Sequence, residues 1–174
     1  YNGLFDIILV AVTGDAPGWP AVEQAALFAK NENAHLIGLH VSPGKSDKGG
    51  RDLSIEEQYI ELCKKAGITP EYIEEYGNVT RTIYQRSFWS DLLVLRLSYP
   101  PPILSFRRFG SGLRTIIRLV RTPLMVVPPT AHLHLSRVLL AYGGGRKADE
   151  ALFIAAYLAS RWKAELYVVT VRRE

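Results

Sequence analysis

The chain has one cysteine, Cys63, and no aspartate or glutamate anywhere from Leu92 to Ala148. A single cysteine cannot close a disulfide within the chain, so burial must hold the fold, and such usage suits a reducing compartment, the cytoplasm. No apolar run approaches the roughly 20 residues needed to cross a bilayer. No charged segment followed by an apolar stretch opens the chain as a secretion signal would. Glycine is missing between Gly77 and Gly110, where a loop that holds phosphate by close backbone approach would carry several. Metal-ligand clusters are missing too: His132 and His134 alternate in a short linker without a neighbouring cysteine or carboxylate. His40 reads as structural, and Cys63 falls on the apolar face of a helix and reads as core. Trp19, Trp89 and Trp162 fall at helix ends and read as packing residues. No nucleophile, base and acid stand in a pattern that supports covalent or acid–base chemistry, so no catalytic residue is assigned and the chain is not read as an enzyme.

What is present is an ordinary globular composition, 48% hydrophobic and 22% charged over 174 residues, enough for one domain and part of another. Tyr1 is not a natural start and the last strand stops at Arg172-Arg173-Glu174, so a neighbouring domain is expected. The net charge of +4 is unevenly spread. Acids gather around Glu56 to Glu75, whereas the acid-free stretch holds Arg96, Arg107, Arg108, Arg114, Arg118 and Arg121. Two readings of that stretch stand: a solvated basic face, or an anion site near Arg107 and Arg108. Nucleic acid is not the expected partner, because the basic residues do not interleave with stacking aromatics.

Strand and helix signals alternate. Residues 5–12 form a β-branched apolar run typical of a strand buried on both faces. Thr13 to Gly18 reads as a loop, and Pro20 suits a first helical turn. Small residues at helical spacing follow to Asn33, then a strand from His35 to Val41. After a polar, glycine-rich loop, Ser54-Ile55-Glu56-Glu57 has the form of a capping box, opening a helix that Gly67 ends. A short strand from Tyr72 to Tyr76, a helix capped by Asn78 and running to about Phe88, and a buried strand over 91–95 come next. A long loop over 98–109, stiffened by Pro100-Pro101-Pro102, leads to a helix over 111–120 and a strand over 123–127. The expected fold is an open, parallel, five-stranded α/β sheet sandwiched by helices. Ligands of such sheets bind beyond the carboxyl ends of the strands, where strand order reverses. The loops after Val12 and Leu95 are therefore the candidates.

After a linker over 130–136 the pattern restarts. Residue 8 meets 138 and residue 41 meets 171, a constant offset of 130 without gaps. Leu9, Ala11, Gly14, Ala25, Ala29 and Val41 meet Leu139, Ala141, Gly144, Ala155, Ala159 and Val171. An ungapped register through strand, loop, helix and strand reads as duplication. The expected organisation is a domain over 1–129, a linker over 130–136, and the first β-α-β unit of a second domain over 137–174. Tyr142 to Lys147 loosely matches the glycine-rich loop of ATP pyrophosphatases but lacks its serines, and reads as a flexible turn.

The order and spacing of Ile7-Ile8-Leu9-Val10-Ala11-Val12, Leu39-His40-Val41, Asp91 to Leu95, Gly110-Ser111 and Pro123 to Pro128 resemble the universal stress protein family, here in tandem with the second copy truncated. The resemblance implies a Rossmann-like α/β fold, a stress-response role and, in ATP-binding members, three nucleotide contacts. These are an Asp ending the first strand, a valine on the second strand against the adenine, and a G-x-x-G-(x9)-G-(S/T) loop after the fourth. Carried over by position, the chain keeps Val41 and Gly110-Ser111. Thr13 stands at the Asp position, with Asp15 two residues on placed to substitute for it in part. The two earlier loop glycines fall at Leu97 and Pro100, or at Arg96 and Tyr99 with one insertion.

The candidate nucleotide or anion site is therefore Thr13, Gly14, Asp15, Val41, Arg107, Arg108, Gly110, Ser111 and Gly112. Side chains with a Cβ and the triple proline obstruct close approach to a triphosphate. The expectation is a binding or regulatory module with a degenerate site. It would hold ATP or another adenine nucleotide weakly or not at all, while keeping a phosphate site. Alternatives are an ATP-binding protein with slow hydrolysis and the soluble regulatory domain of a membrane transporter. The resemblance also implies a homodimer through the strand near Leu124–Val127. A protein partner, or the remainder of the second repeat, is the other expected partner.

Overall fold

The computed structural model describes residues 3–43, 53–97, 111–131 and 135–170. The chain divides into two compact units, Tyr1–His132 and Leu133–Glu174.

In the first unit β1 (Ile7–Val12), a short 3-10 turn (Ala16–Gly18), α1 (Trp19–Glu32), β2 (His35–Ser42), α2 (Leu53–Ala66), β3 (Glu71–Tyr76), α3 (Val79–Ser87), β4 (Leu92–Arg96), α4 (Ser111–Leu119) and β5 (Leu124–Val127) follow in order. The strands make one parallel sheet in the order β3-β2-β1-β4-β5. β1 is central, and buried side chains on both its faces explain its unbroken apolar sequence. Leu9, Ala11, Leu39 and Val41 pack with Ile83 of α3 and Ile116 of α4. On the opposite face Gly38 lies against the ring of Tyr59 from α2. The small residues of α1 (Ala21, Ala25, Ala26 and Ala29) are fully buried, which lets that helix approach its neighbours closely.

Local signals set the boundaries. Gly67 takes the left-handed conformation (φ +81). Its N–H donates to Lys64 O and that of Ile68 to Cys63 O, closing α2 by satisfying carbonyls that a helix end leaves free. Asn78 Oδ1 accepts from the Arg81 N–H at 2.9 Å and caps α3. α2 is already helical at Leu53, so Ser54 lies within the first turn rather than ahead of it. The Asp91 carboxylate accepts from the backbone N–H of Asp6 and Ile7 at 3.0 and 2.9 Å, fixing the start of β4 beside that of β1. Cys63 is buried beside Tyr59, and burial pushes its thiol up to about 11. Trp89 does not pack: it follows α3 in the turn to β4 and is 80% exposed, while the neighbouring Phe88, also exposed, lies edge-on to Tyr84.

The second unit holds β6 (Arg137–Ala141), α5 (Arg146–Trp162) and β7 (Glu165–Val169), the strands forming a parallel two-stranded sheet. The offset of 130 recurs in its register: Ile7 pairs with His35 in β1–β2, and Arg137 with Glu165 in β6–β7. It recurs at the helix ends, where Asn33 and Lys163 are both left-handed (φ 56 and 54).

Candidate functional site

In the order β3-β2-β1-β4-β5 the chain direction of build-up reverses between β1 and β4. Their carboxyl ends open the crevice where such sheets bind ligands. β1 ends at Val12, and Thr13-Gly14-Asp15 turn away from it. Gly14 is left-handed (φ +77), and a Cβ there would sit 2.4 Å from Ile55 Cδ1, so the turn requires glycine. Thr13 Oγ1 donates to Asp15 Oδ1 at 2.5 Å. The other carboxylate oxygen, Oδ2, accepts from the guanidinium of Arg96 at the end of β4. The two strand ends are thus tied across the crevice by Thr13, Asp15 and Arg96. Gly18 closes the back of this loop. A Cβ at position 18 would lie 1.9 Å from Thr13 Oγ1 and 2.8 Å from Asp15 Oδ1, and its N–H donates to Asp15 O at 2.8 Å.

Partial burial pushes the Asp15 carboxyl up. The Thr13 hydroxyl and the hydrogen bond and charge of Arg96 outweigh that push and hold it below the usual value of 3.8. Asp15 is therefore an anion at neutral pH, and its charge is already answered by Arg96.

Two helix N-termini meet at the same end of the sheet. Gly112, in the first turn of α4, lies so close to α3 that a Cβ would come within 2.6 Å of Thr80 Oγ1. Free N–H groups at such ends favour anions. Near the end of β2, His40 Nδ1 is 2.9 Å from Val12 O and its Nε2 3.2 Å from Ser42 Oγ. A carbonyl can only accept, so Nδ1 carries the proton and the ring braces β1 against β2.

The structure brings Thr13, Gly14 and Asp15 together as one loop and sets Gly112 at the start of α4. Val41 sits at the end of β2 but is only 8% exposed, enclosed by the apolar cluster over which α3 and α4 lie. Arg107, Arg108 and Gly110 lie outside the described residues, and of Ser111 the backbone alone is described. Arg96, Thr80 and Gly18 were not among the candidate site residues read from sequence. Arg96 was visible as a cation ending a buried strand, but its partner lies 81 residues away and only the strand order reveals it. Among the described residues no group of histidine, cysteine and carboxylates is placed to hold a metal ion, and no helix is long and apolar enough to cross a membrane.

Sheet order, helices on both faces and a crevice at the β1–β4 reversal define a doubly wound α/β protein. The chain belongs to the universal stress protein family, whose model matches residues 4–128. A universal stress protein from Archaeoglobus fulgidus DSM 4304 superposes with a TM-score of 0.73 at 19% identity, covering 97% of this chain and 68% of that one. A universal stress protein solved in complex with cAMP gives 0.63 at 18% identity, covering 74% of this chain and 100% of that one. The Archaeoglobus fulgidus universal stress protein in complex with dAMP gives 0.51 at 18%, covering 71% and 98%. At these identities the likeness establishes the fold. No curated protein matches the sequence.

Proposed function

We propose that the first unit is a universal-stress-type binding and regulatory module, not a catalyst, whose nucleotide site is degenerate and whose ligand is a phosphate-bearing anion. The observation that carries this reading is the Asp15–Arg96 bridge across the crevice. Two neighbours of this fold hold adenine nucleotides, cAMP and dAMP. Here the position of the family's strand-ending carboxylate holds Thr13. The carboxylate two residues on is bound to Arg96, and Val41 is covered by the protein's own core. A nucleoside therefore meets an acceptor already tied to Arg96 and Thr13, while the N-terminus of α4 remains suited to phosphate. In the same reading the protein works in the cytoplasm. It pairs through β5, the strand at the edge of the sheet, whose Leu124, Met125 and Val126 are only half-buried. The second unit is the opening of a second domain of the same family.

The test is native mass spectrometry of freshly purified protein, followed by a thermal-shift series with ATP, ADP, AMP, cAMP, phosphate and sulfate. The expected result is no co-purified nucleotide and similar stabilisation by phosphate and by the nucleotides at equal millimolar concentration. Co-purified ATP, or a shift selective for adenine nucleotides at micromolar concentration, refutes the degenerate-site reading.

A further inference from the structure

The two helix layers of the first unit carry opposite net charge. α1 and α2, on one face of the sheet, hold Glu23, Glu32, Glu56, Glu57 and Glu61 against Lys30, Lys64 and Lys65. α3 and α4, on the other, hold no acid. From Tyr76 to Ser90 and from Ser111 to Thr122 the charged residues are Arg81, Arg86, Arg114, Arg118 and Arg121, and all five are exposed. Arg86 pairs with Glu75 of β3. Arg81, Arg114, Arg118 and Arg121 meet no carboxylate among the described residues.

α3 and α4 lie side by side and run the same way. Gly112 meets Thr80 at their starts. At their ends Thr122 Oγ1 lies 2.9 Å from Ser87 O and 3.3 Å from Ser90 O. Those contacts set three large apolar side chains at one end of the pair: Phe88, Trp89 and Leu119, which are 55%, 80% and 50% exposed. Arg118 and Arg121 stand on either side of Leu119 in the chain, and Arg114 is one helical turn before Arg118. Apolar side chains exposed singly are ordinary on a protein surface. Three at one end of an acid-free face form a patch that the packing of the sheet does not use. This end adjoins the start of β4, so it lies away from the crevice at the carboxyl ends of the strands.

The charge selects an anionic partner, and the apolar group selects its kind. The backbone of a nucleic acid would meet the arginines but leave Leu119 in water. A second copy of the chain facing this surface would set arginine against arginine. An anionic bilayer takes both features: aromatic rings and leucine settle among the headgroups, and arginines reach the lipid phosphates. Each arginine held near such a leaflet strengthens binding about five-fold. With no acid on either helix, nothing in this layer repels the lipid.

We infer that the outer face of α3 and α4 docks on an anionic lipid bilayer. Phe88, Trp89 and Leu119 enter the headgroup layer, while Arg81, Arg114, Arg118 and Arg121 pair with lipid phosphates. The docking surface is separate from the crevice, so it does not depend on what the crevice binds.

The test is co-sedimentation of the whole chain with two kinds of vesicle, one of phosphatidylcholine alone and one with about one-third phosphatidylglycerol. It is paired with quenching of tryptophan fluorescence by lipids brominated on their acyl chains. The expected result is binding to the anionic vesicles alone, at least about ten-fold weaker in roughly 0.5 M salt, with quenching that Trp89→Phe removes. Arg118→Gln combined with Arg121→Gln should weaken binding about 25-fold. Both side chains are exposed and meet no carboxylate among the described residues, so the double variant keeps the fold, which its melting profile checks. Equal binding to neutral vesicles, quenching that survives Trp89→Phe, or an affinity that the double variant leaves unchanged overturns the inference. Binding to polyglutamate or RNA without binding to vesicles overturns it too, because the face then serves another macromolecule.

Discussion

Gly38→Ala tests whether close approach of β2 to α2 sets the stability of the first unit. Gly38 pairs with Val10 and Tyr72 in the middle of the sheet. A Cβ on it would lie 2.5, 2.6 and 2.9 Å from three ring carbons of Tyr59, where carbon atoms settle at about 3.5–4.0 Å. The ring must therefore move by about 1 Å. It is fully buried and has Tyr72 at a centroid distance of 5.6 Å, so the motion propagates into the layer between sheet and helix. Overpacking of this kind costs about 1–3 kcal/mol. The smaller unfolded-state entropy of alanine returns about 0.4–1 kcal/mol. The net loss of about 1–2 kcal/mol lowers the melting temperature by roughly 3–8 °C for a domain of this size. Calorimetry and urea titration read both quantities. The decisive arm is a cycle with Tyr59→Leu. That substitution alone is destabilising, but it leaves room for the new methyl, so the double variant loses at least about 1 kcal/mol less than the sum of the two single losses. An unchanged melting temperature for Gly38→Ala, or strict additivity in the cycle, refutes the reasoning.

Arg96→Met keeps the length of the side chain and removes its charge. With Asp15 47% exposed on its side chain, the bridge is worth about 0.2–1 kcal/mol at low salt, and its loss should shrink further in 0.5 M salt (on the order of a 4 Å Debye length). The native Asp15 carboxyl is held below 3.8, so its stabilisation is complete above that pH and fades as pH falls through the native value. Urea curves for wild type and Arg96→Met should therefore differ at neutral pH, draw together as pH falls past 3.8 and converge below the native Asp15 value; a difference that does not shrink over that range refutes the assignment of the charge pair. Met125→Lys places a charge on the edge strand β5. Light scattering should show the wild type as a dimer and the variant as a monomer with an unchanged melting profile; a monomeric wild type refutes pairing through β5.

The parts of the fold legible in the sequence are those encoded by neighbours. The apolar run of β1, the alanines of α1, Gly67 and Asn78 each act within a few residues, and each stands where its local chemistry requires. The offset of 130 was legible because strand register and the left-handed ends at Asn33 and Lys163 follow from residues on the same short segment. Tertiary placement was not legible. Trp89 was read as a packing residue from its position at a helix end, but the turn from α3 to β4 leaves both it and Phe88 exposed, which depends on how that turn meets the rest of the fold. Val41 was carried over as a candidate ligand contact from the family resemblance. Whether its side chain meets a ligand or a helix depends on α3 and α4, which approach from elsewhere in the chain. The Asp15–Arg96 pair depends on β4 inserting beside β1, which no local signal specifies.

That pair also gives the selectivity of the proposed site a physical form. An anion arriving at the crevice competes with the Asp15 carboxylate for one guanidinium, and any phosphate competes equally well whatever is attached to it. A nucleoside needs in addition an acceptor for its sugar or base. The Asp15 carboxylate keeps a free lone pair on each oxygen, but Arg96 and Thr13 hold it in place beside the end of β1, so turning it toward a nucleoside means leaving both. Releasing a charge-assisted hydrogen bond costs about 1.5–3 kcal/mol where no new partner replaces it, equivalent to roughly a 10- to 150-fold weaker nucleotide. Opening the bridge without removing the acceptor should thus favour nucleosides over bare phosphate. In Arg96→Met, phosphate binding weakens while the Asp15 carboxylate becomes available, so the ratio of adenosine nucleotide affinity to phosphate affinity rises. A ratio that stays constant would mean that Asp15 takes no part in excluding the nucleoside.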